Sequence, residues 1–170
     1  MSNQQSNTTA NQTACGSELN NSMNWEAHLT DKSFMDFLQA VDRVNVEGIA
    51  PSQLSRCTPR KEQAKAAREL FKVLGIKGIS VTAPNYSMAQ SVHVRIPSPT
   101  IEDSAFCFAG VDYRHATWSD MPSDVPAKII HKQHNEVIKK IGVILAVAFP
   151  NHDDRSDSQT DYFDYCWSIR

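Results

Sequence analysis

Residues 156–170 read SDSQTDYFDYCWSIR, an acidic polar turn that runs directly into an aromatic strand. Phe163, Tyr165, Trp167 and Ile169 alternate with Asp164, Cys166, Ser168 and Arg170. A period of two is the pattern of a strand with one buried face. Such a strand needs partners earlier in the chain, and a hairpin supplies them. Ile79, Val81 and Ala83 alternate with Ser80 and Thr82, residues 84–90 turn the chain, and Val92, Val94 and Ile96 alternate with Ser91, His93 and Arg95. A two-stranded hairpin is marginal alone, so the final strand is expected as the third member. Both hairpin strands are apolar on one face only, which predicts helices on that side and an open polar face on the other.

Three segments carry helical periodicity. Over 30–45, Phe34, Phe37, Leu38, Val41 and Val44 form a stripe, with Thr30 or Asp31 as N-cap, and Gly48 and Pro51 ending the segment. Over 59–74, Thr58 is expected to cap the helix and Pro59 to occupy its first position, where a missing N–H costs nothing. There Ala64, Ala67, Leu70, Phe71 and Leu74 face the core, and Gly75 is placed to be the left-handed terminating residue. From 124 onward, Ser123 or Asp124 caps a third helix, Pro126 sits in its first turn, and Ile130, His134, Val137, Ile141, Ile144 and Ala148 share a face. Gly142 and the β-branched run after it leave an alternative, a helix to Gly142 followed by a buried strand over 143–149. Residues 98–123 show no period; loops and one short helix are expected. The fold class is therefore α+β, with three helices packed on one face of a small antiparallel sheet made of the mid-chain hairpin and the C-terminal strand.

Composition bounds the rest. The chain has 170 residues, within the usual range of one domain. Residues 1–24 are rich in Asn, Gln, Ser and Thr, with too little apolar surface to offset ordering entropy, and are expected as a disordered polar tail before a single α+β domain over 25–170. No basic start or apolar run marks the tail as a signal peptide. A formal net charge of −2 excludes a strongly basic binder or a polyanion mimic. Cys15, Cys57, Cys107 and Cys166 lack a Cys-x-x-Cys spacing, which reads as reduced thiols in a cytoplasmic protein. The apolar run 141–149 is far below the roughly 20 residues that span a bilayer. Neither a membrane nor a cofactor is expected.

Several constellations carry possible chemistry. Lys61, Lys65, Arg68 and Lys72 make one basic stripe opposite the apolar face of the second helix. It could track phosphates, or be a solvated face moderated by helix-spaced ion pairs to Glu62 and Glu69. His131 and His134 lie one turn apart, but a zinc site needs further protein ligands and the pattern His-Glu-x-x-His is absent. Asp153, Asp154, Asp157 and Asp161 lack the alternation, turn glycine and closing Glu of a calcium loop, so turn and capping roles are expected. On the open sheet face, His93 and Arg95 project with Ser80 and Thr82, and Asp164 and Cys166 could join them, yet no nucleophile elbow supports catalysis. Tyr113, Arg114, His115 and Trp118 are the densest group of residue types favoured at interface hot spots, and either bind a partner or plug the core.

Gly78-Ile79-Ser80-Val81-Thr82, followed by Asn85-Tyr86-Ser87-Met88-Ala89-Gln90-Ser91-Val92-His93-Val94-Arg95, resembles the strand–turn–strand unit of a large polyvalent protein-associated domain. Residues 156–164 are similar to the acidic segment before that family's last strand. The likeness covers roughly 66–94 and 153–170, less than half of the chain; Ala89 and Gln90 depart from the small residues of the family's turn. The resemblance implies a small α+β domain of phages and other mobile elements, with no catalytic residue to carry over. It further implies a non-enzymatic protein that binds host machinery, a host protein or protein–nucleic-acid complex, including as an inhibitor of a host defence complex. Nucleic-acid binding through the basic stripe and a small hydrolase or nucleotide-modifying enzyme are the alternatives.

Overall fold

A computed structural model describes residues 24–54, 58–83, 91–151 and 167–170. The polar tail therefore lies outside the described residues except for Asn24, as do the hairpin turn and the acidic segment with its four aspartates. Among the described residues the order is a 3-10 turn Trp25–His28, α1 Ser33–Asp42, a 3-10 turn Val46–Gly48, α2 Arg60–Val73, β1 Ser80–Thr82 and β2 Val92–Arg95. Then follow a 3-10 turn Asp103–Phe106, β3 Cys107–Phe108, β4 Val111–Asp112, α3 Pro126–Ala148 and β5 Trp167–Ile169. The architecture is α+β.

Helix α1 is shorter than its apolar stripe. Lys32, not Thr30 or Asp31, is its N-cap and makes no side-chain cap; one residue earlier the Asp31 carboxylate accepts the Ser33 N–H at 2.8 Å and the Ser33 hydroxyl at 2.6 Å. At the other end the Asn45 side chain accepts the Glu47 N–H, beginning a separate 3-10 turn. A short amide that bonds nearby backbone competes with helix continuation, which is why α1 stops at Asp42. Phe34, Phe37, Leu38 and Val41 are buried as the spacing predicts.

Pro59 is the N-cap of α2 rather than its first helical residue, and the Thr58 side chain makes no cap. The Thr58 carbonyl instead accepts from the buried Gln63 amide at 2.7 Å. The C-terminus follows expectation. Gly75 has φ 71°, the Gly75 N–H donates to the Lys72 carbonyl, and the Ile76 N–H reaches back to the Phe71 carbonyl. This paired closure satisfies carbonyls the last turn would leave orphaned, with Ile76 buried beside it.

The sheet order is β1-β2-β5, with β1 antiparallel to β2 and β5 parallel to it. The expected antiparallel sheet is thus a mixed one. Parallel pairing requires a crossover, and α3 lies within the connection from β2 to β5. In register, Val92 faces Trp167 and Val94 faces Ile169 on the core side, while His93 faces Ser168 on the open side. Helix α2 covers β1 and α3 covers β5, and both join the sheet in one apolar core.

Helix α3 runs unbroken through the β-branched stretch. Ile141, Ile144, Leu145 and Ala148 are buried, whereas Val143 is 52% exposed. A strand over 143–149 would bury alternate residues; the helical spacing places the apolar residues on the core, and packing overrides propensity. Val125, not Ser123 or Asp124, precedes the helix, and no side chain caps it; Pro126 stands at its start. The Ala148 carbonyl accepts the Ser52 N–H at 2.7 Å, tying the far end to the 49–54 loop.

Candidate binding site

Residues 101–127 build a small lobe on the N-terminal half of α3. Ile101 bridges to Leu29, and the Glu102 N–H donates to the His28 carbonyl. The β3–β4 hairpin turns through Ala109 and Gly110, with φ of 51° and 80°. Two successive positive φ values define the tight turn whose twist matches flanking strands. Sequence reading misses it because Ala109 stands where Asn or Asp would signal such a turn. Ala105, Met121, Val125 and Ala127 form a second core, packed by Ile101, Phe106, Phe108 and Tyr113.

The loop after β4 is held by its own polar groups. The Thr117 carbonyl accepts the N–H groups of Asp120 and Met121, and the Thr117 hydroxyl donates to the Asp120 carboxylate at 2.7 Å. Lys128 of α3 donates to the Met121 carbonyl. This brings Trp118 over α3, where its indole stacks on His131 with centroids 4.2 Å apart and planes 7° apart. Phe106 approaches the indole at 6.2 Å, tilted by 41°. Trp118 nevertheless stays 40% exposed, and Val111 of the same lobe is 49% exposed.

The four predicted contact residues thus separate by role. Tyr113 is half-buried against the second core. Arg114 is exposed, but its guanidinium grips the Asp112 carboxylate through Nε at 2.8 Å and Nη2 at 2.5 Å, with Asp103 3.7 Å away. That grip, chiefly the Arg114 side-chain hydrogen bond, holds the Asp112 carboxyl down at about 2. His115 is exposed. Trp118 alone presents a large aromatic surface. Its partner His131 is legible in the sequence only as a possible metal ligand beside His134; the stacking on Trp118 is not, because a contact between a loop and a helix leaves no periodic trace.

His131 and His134 face different neighbours. The His131 Nε2 lies 3.1 Å from the Asn135 amide nitrogen, while the His134 ring packs against Phe34 at 6.0 Å. Burial, then the neighbouring His131, push the His134 imidazole below its ordinary value, and its Nε2 has no hydrogen-bond partner among the described residues. Among the described residues no three His, Cys, Asp or Glu side chains gather where they could hold a metal ion.

Lys61, Lys65, Arg68 and Lys72 are all exposed along α2. The anticipated ion pairs to Glu62 and Glu69 do not form: among the described residues no carboxylate lies within 4.0 Å of these four cations. The side chains remain in water, where an exposed pair gains too little to fix two flexible chains. Arg68 differs from the lysines in donating Nε to the Val81 carbonyl at 3.0 Å.

The open sheet face carries Ser80, Thr82 and Arg95, exposed, with His93 half-buried among them. Asp164 and Cys166 lie outside the described residues. A different polar contact, not legible from sequence, joins segments 76 residues apart: His28 Nδ1 lies 3.1 Å from Ser104 Oγ. The Ser104 hydroxyl also meets Glu102 at 3.3 Å. The carboxylate bonds the serine rather than the imidazole, so it does not orient the base as a catalytic triad requires. No helix among the described residues is long and apolar enough to cross a membrane.

No protein-family model matches the chain, and no curated protein or solved structure does.

Proposed function

We propose that this chain is a non-enzymatic binding protein that recognises a protein partner through the 101–127 lobe. The observation that carries the reading is Trp118, an exposed indole held flat on His131. An aromatic fixed before binding loses little freedom on association, and tryptophan is favoured among residues that dominate interface energy. Val111 adds a second exposed apolar side chain on the same lobe. Arg114, with its charge already balanced by Asp112, can border such a patch without leaving a bare charge to bury.

The resemblance of the hairpin and acidic segment to a mobile-element domain supports a partner in host machinery, such as a defence complex. The test is capture of proteins from host lysate by the full chain and by its Trp118→Ala variant. A protein held by the first and lost by the second supports the reading; no Trp118-dependent partner counts against it.

A further inference from the structure

We infer a second binding surface, the basic face of α2, and assign it the phosphate backbone of a double-stranded nucleic acid. This surface is separate from the aromatic lobe and does not depend on the lobe's role. Residues 58–83 hold six Lys or Arg against two Glu, a local +4 in a chain of formal net charge −2. Charge of one sign is therefore gathered on one segment, where an anionic ligand would be drawn.

Lys61, Lys65, Arg68 and Lys72 follow spacings of four, three and four. At 100° per residue they fall within about 60° of arc and extend over about 16 Å of helix. All four are exposed, and none has a carboxylate within 4.0 Å among the described residues. The helix is anchored by Ala64, Ala67 and Phe71, all buried on a face centred about 100° round from the stripe, so the stripe rides on a fixed helix.

The sheet edge orients one of the four cations. The Arg170 N–H donates to the Val94 carbonyl and the Ile96 N–H to the Arg170 carbonyl, so Val94 turns its backbone toward β5. His93 and Arg95 accordingly bond β1 through Thr82 and Ser80, and Val81 turns its carbonyl outward from the edge. Arg68 Nε occupies that carbonyl at 3.0 Å. The bond closes part of an open strand edge and braces the guanidinium on the stripe, its terminal nitrogens without a partner among the described residues.

The absence of an aromatic from the stripe selects among polyanions. Single strands are held by stacking bases on aromatic rings, whereas a row of cations alone contacts duplex backbone independently of sequence. An anionic membrane would need an apolar helix face to insert, and that of α2 is committed to the core.

The test is fluorescence anisotropy of the full chain with a duplex of arbitrary sequence, titrated at several salt concentrations. Four phosphate contacts predict that affinity falls roughly 100-fold between 50 and 200 mM salt. Lys61→Ala, Lys65→Ala and Lys72→Ala, each a mild change on an exposed side chain, should each lower the log–log salt slope by about 1. K61E/K65E/K72E should lose at least about tenfold in affinity at low salt while melting like the parent. Trp118→Ala should bind duplex unchanged, which separates this surface from the lobe. No duplex binding at low salt, full binding by the triple variant, stronger binding of a single-stranded oligonucleotide, or capture by phosphatidylserine vesicles in place of duplex would each overturn the assignment.

Discussion

The indole of Trp118 and the imidazole of His131 lie nearly parallel, 4.2 Å apart, joining a surface loop to the exposed side of α3. A stacked aromatic pair is worth about 0.5–1.5 kcal/mol beyond its buried area. A double-mutant cycle of Trp118→Ala and His131→Ala, followed by urea unfolding, should return a coupling of that size. Simple additivity would show that the loop is held by its hydrogen bonds alone.

Helix continuity through 143–149 makes two neighbouring truncations unequal. Ile141→Ala removes a fully buried side chain and should cost about 2–5 kcal/mol. Val143→Ala, at an exposed position, should change stability by less than about 0.5 kcal/mol. A large loss at Val143 would mean that this stretch pairs as a buried strand.

Two glycines should respond in opposite directions to the same substitution. Gly78 has φ 84°, and a Cβ there would stand 2.9 Å from Pro97 Cγ, part of a rigid ring. Gly78→Ala should destabilise by more than about 1 kcal/mol. Gly142 is helical, and its Cβ would meet only Ile169 Cδ1 at 3.6 Å, an ordinary contact. Gly142→Ala should therefore gain up to about 1 kcal/mol from helix propensity. Thermal unfolding of both variants checks the pair.

Acidification should act through His134. Burial and then His131 lower its pKa from 6.5, so the folded chain binds fewer protons there than the unfolded one. Its contribution is whole above about pH 6.5 and is lost as pH falls toward the folded value. His134→Phe, placed beside Phe34 and lacking the unpartnered nitrogen, should flatten that decline. Urea unfolding of both proteins at about pH 7 and about pH 5 measures the difference.

The parts legible in the sequence are those with a local cause. Phe34, Phe37, Leu38 and Val41 announce α1 by spacing, Gly75 marks the end of α2 by its backbone freedom, and Val92 and Val94 declare a one-faced strand. Strand direction is different. The alternation of Trp167 and Ile169 is the same whichever way the strand runs, and only the path of α3 makes β5 parallel to β2. The β3–β4 hairpin hides behind an alanine at positive φ. For the candidate site, Trp118 could be picked by residue type, but His131 beneath it and the Arg114–Asp112 pair that neutralises the charge depend on tertiary placement.

The scaffold behind both surfaces is closed by β5 against β2, with the Arg170 N–H donating to the Val94 carbonyl at 2.9 Å and Ile169 beside Gly142 of α3. Thermal unfolding of a chain ending at residue 166 tests that closure most directly. Loss of the cooperative transition, or a midpoint lowered by at least about 10 °C, is the predicted result. A sharp transition at the intact protein's midpoint would contradict it.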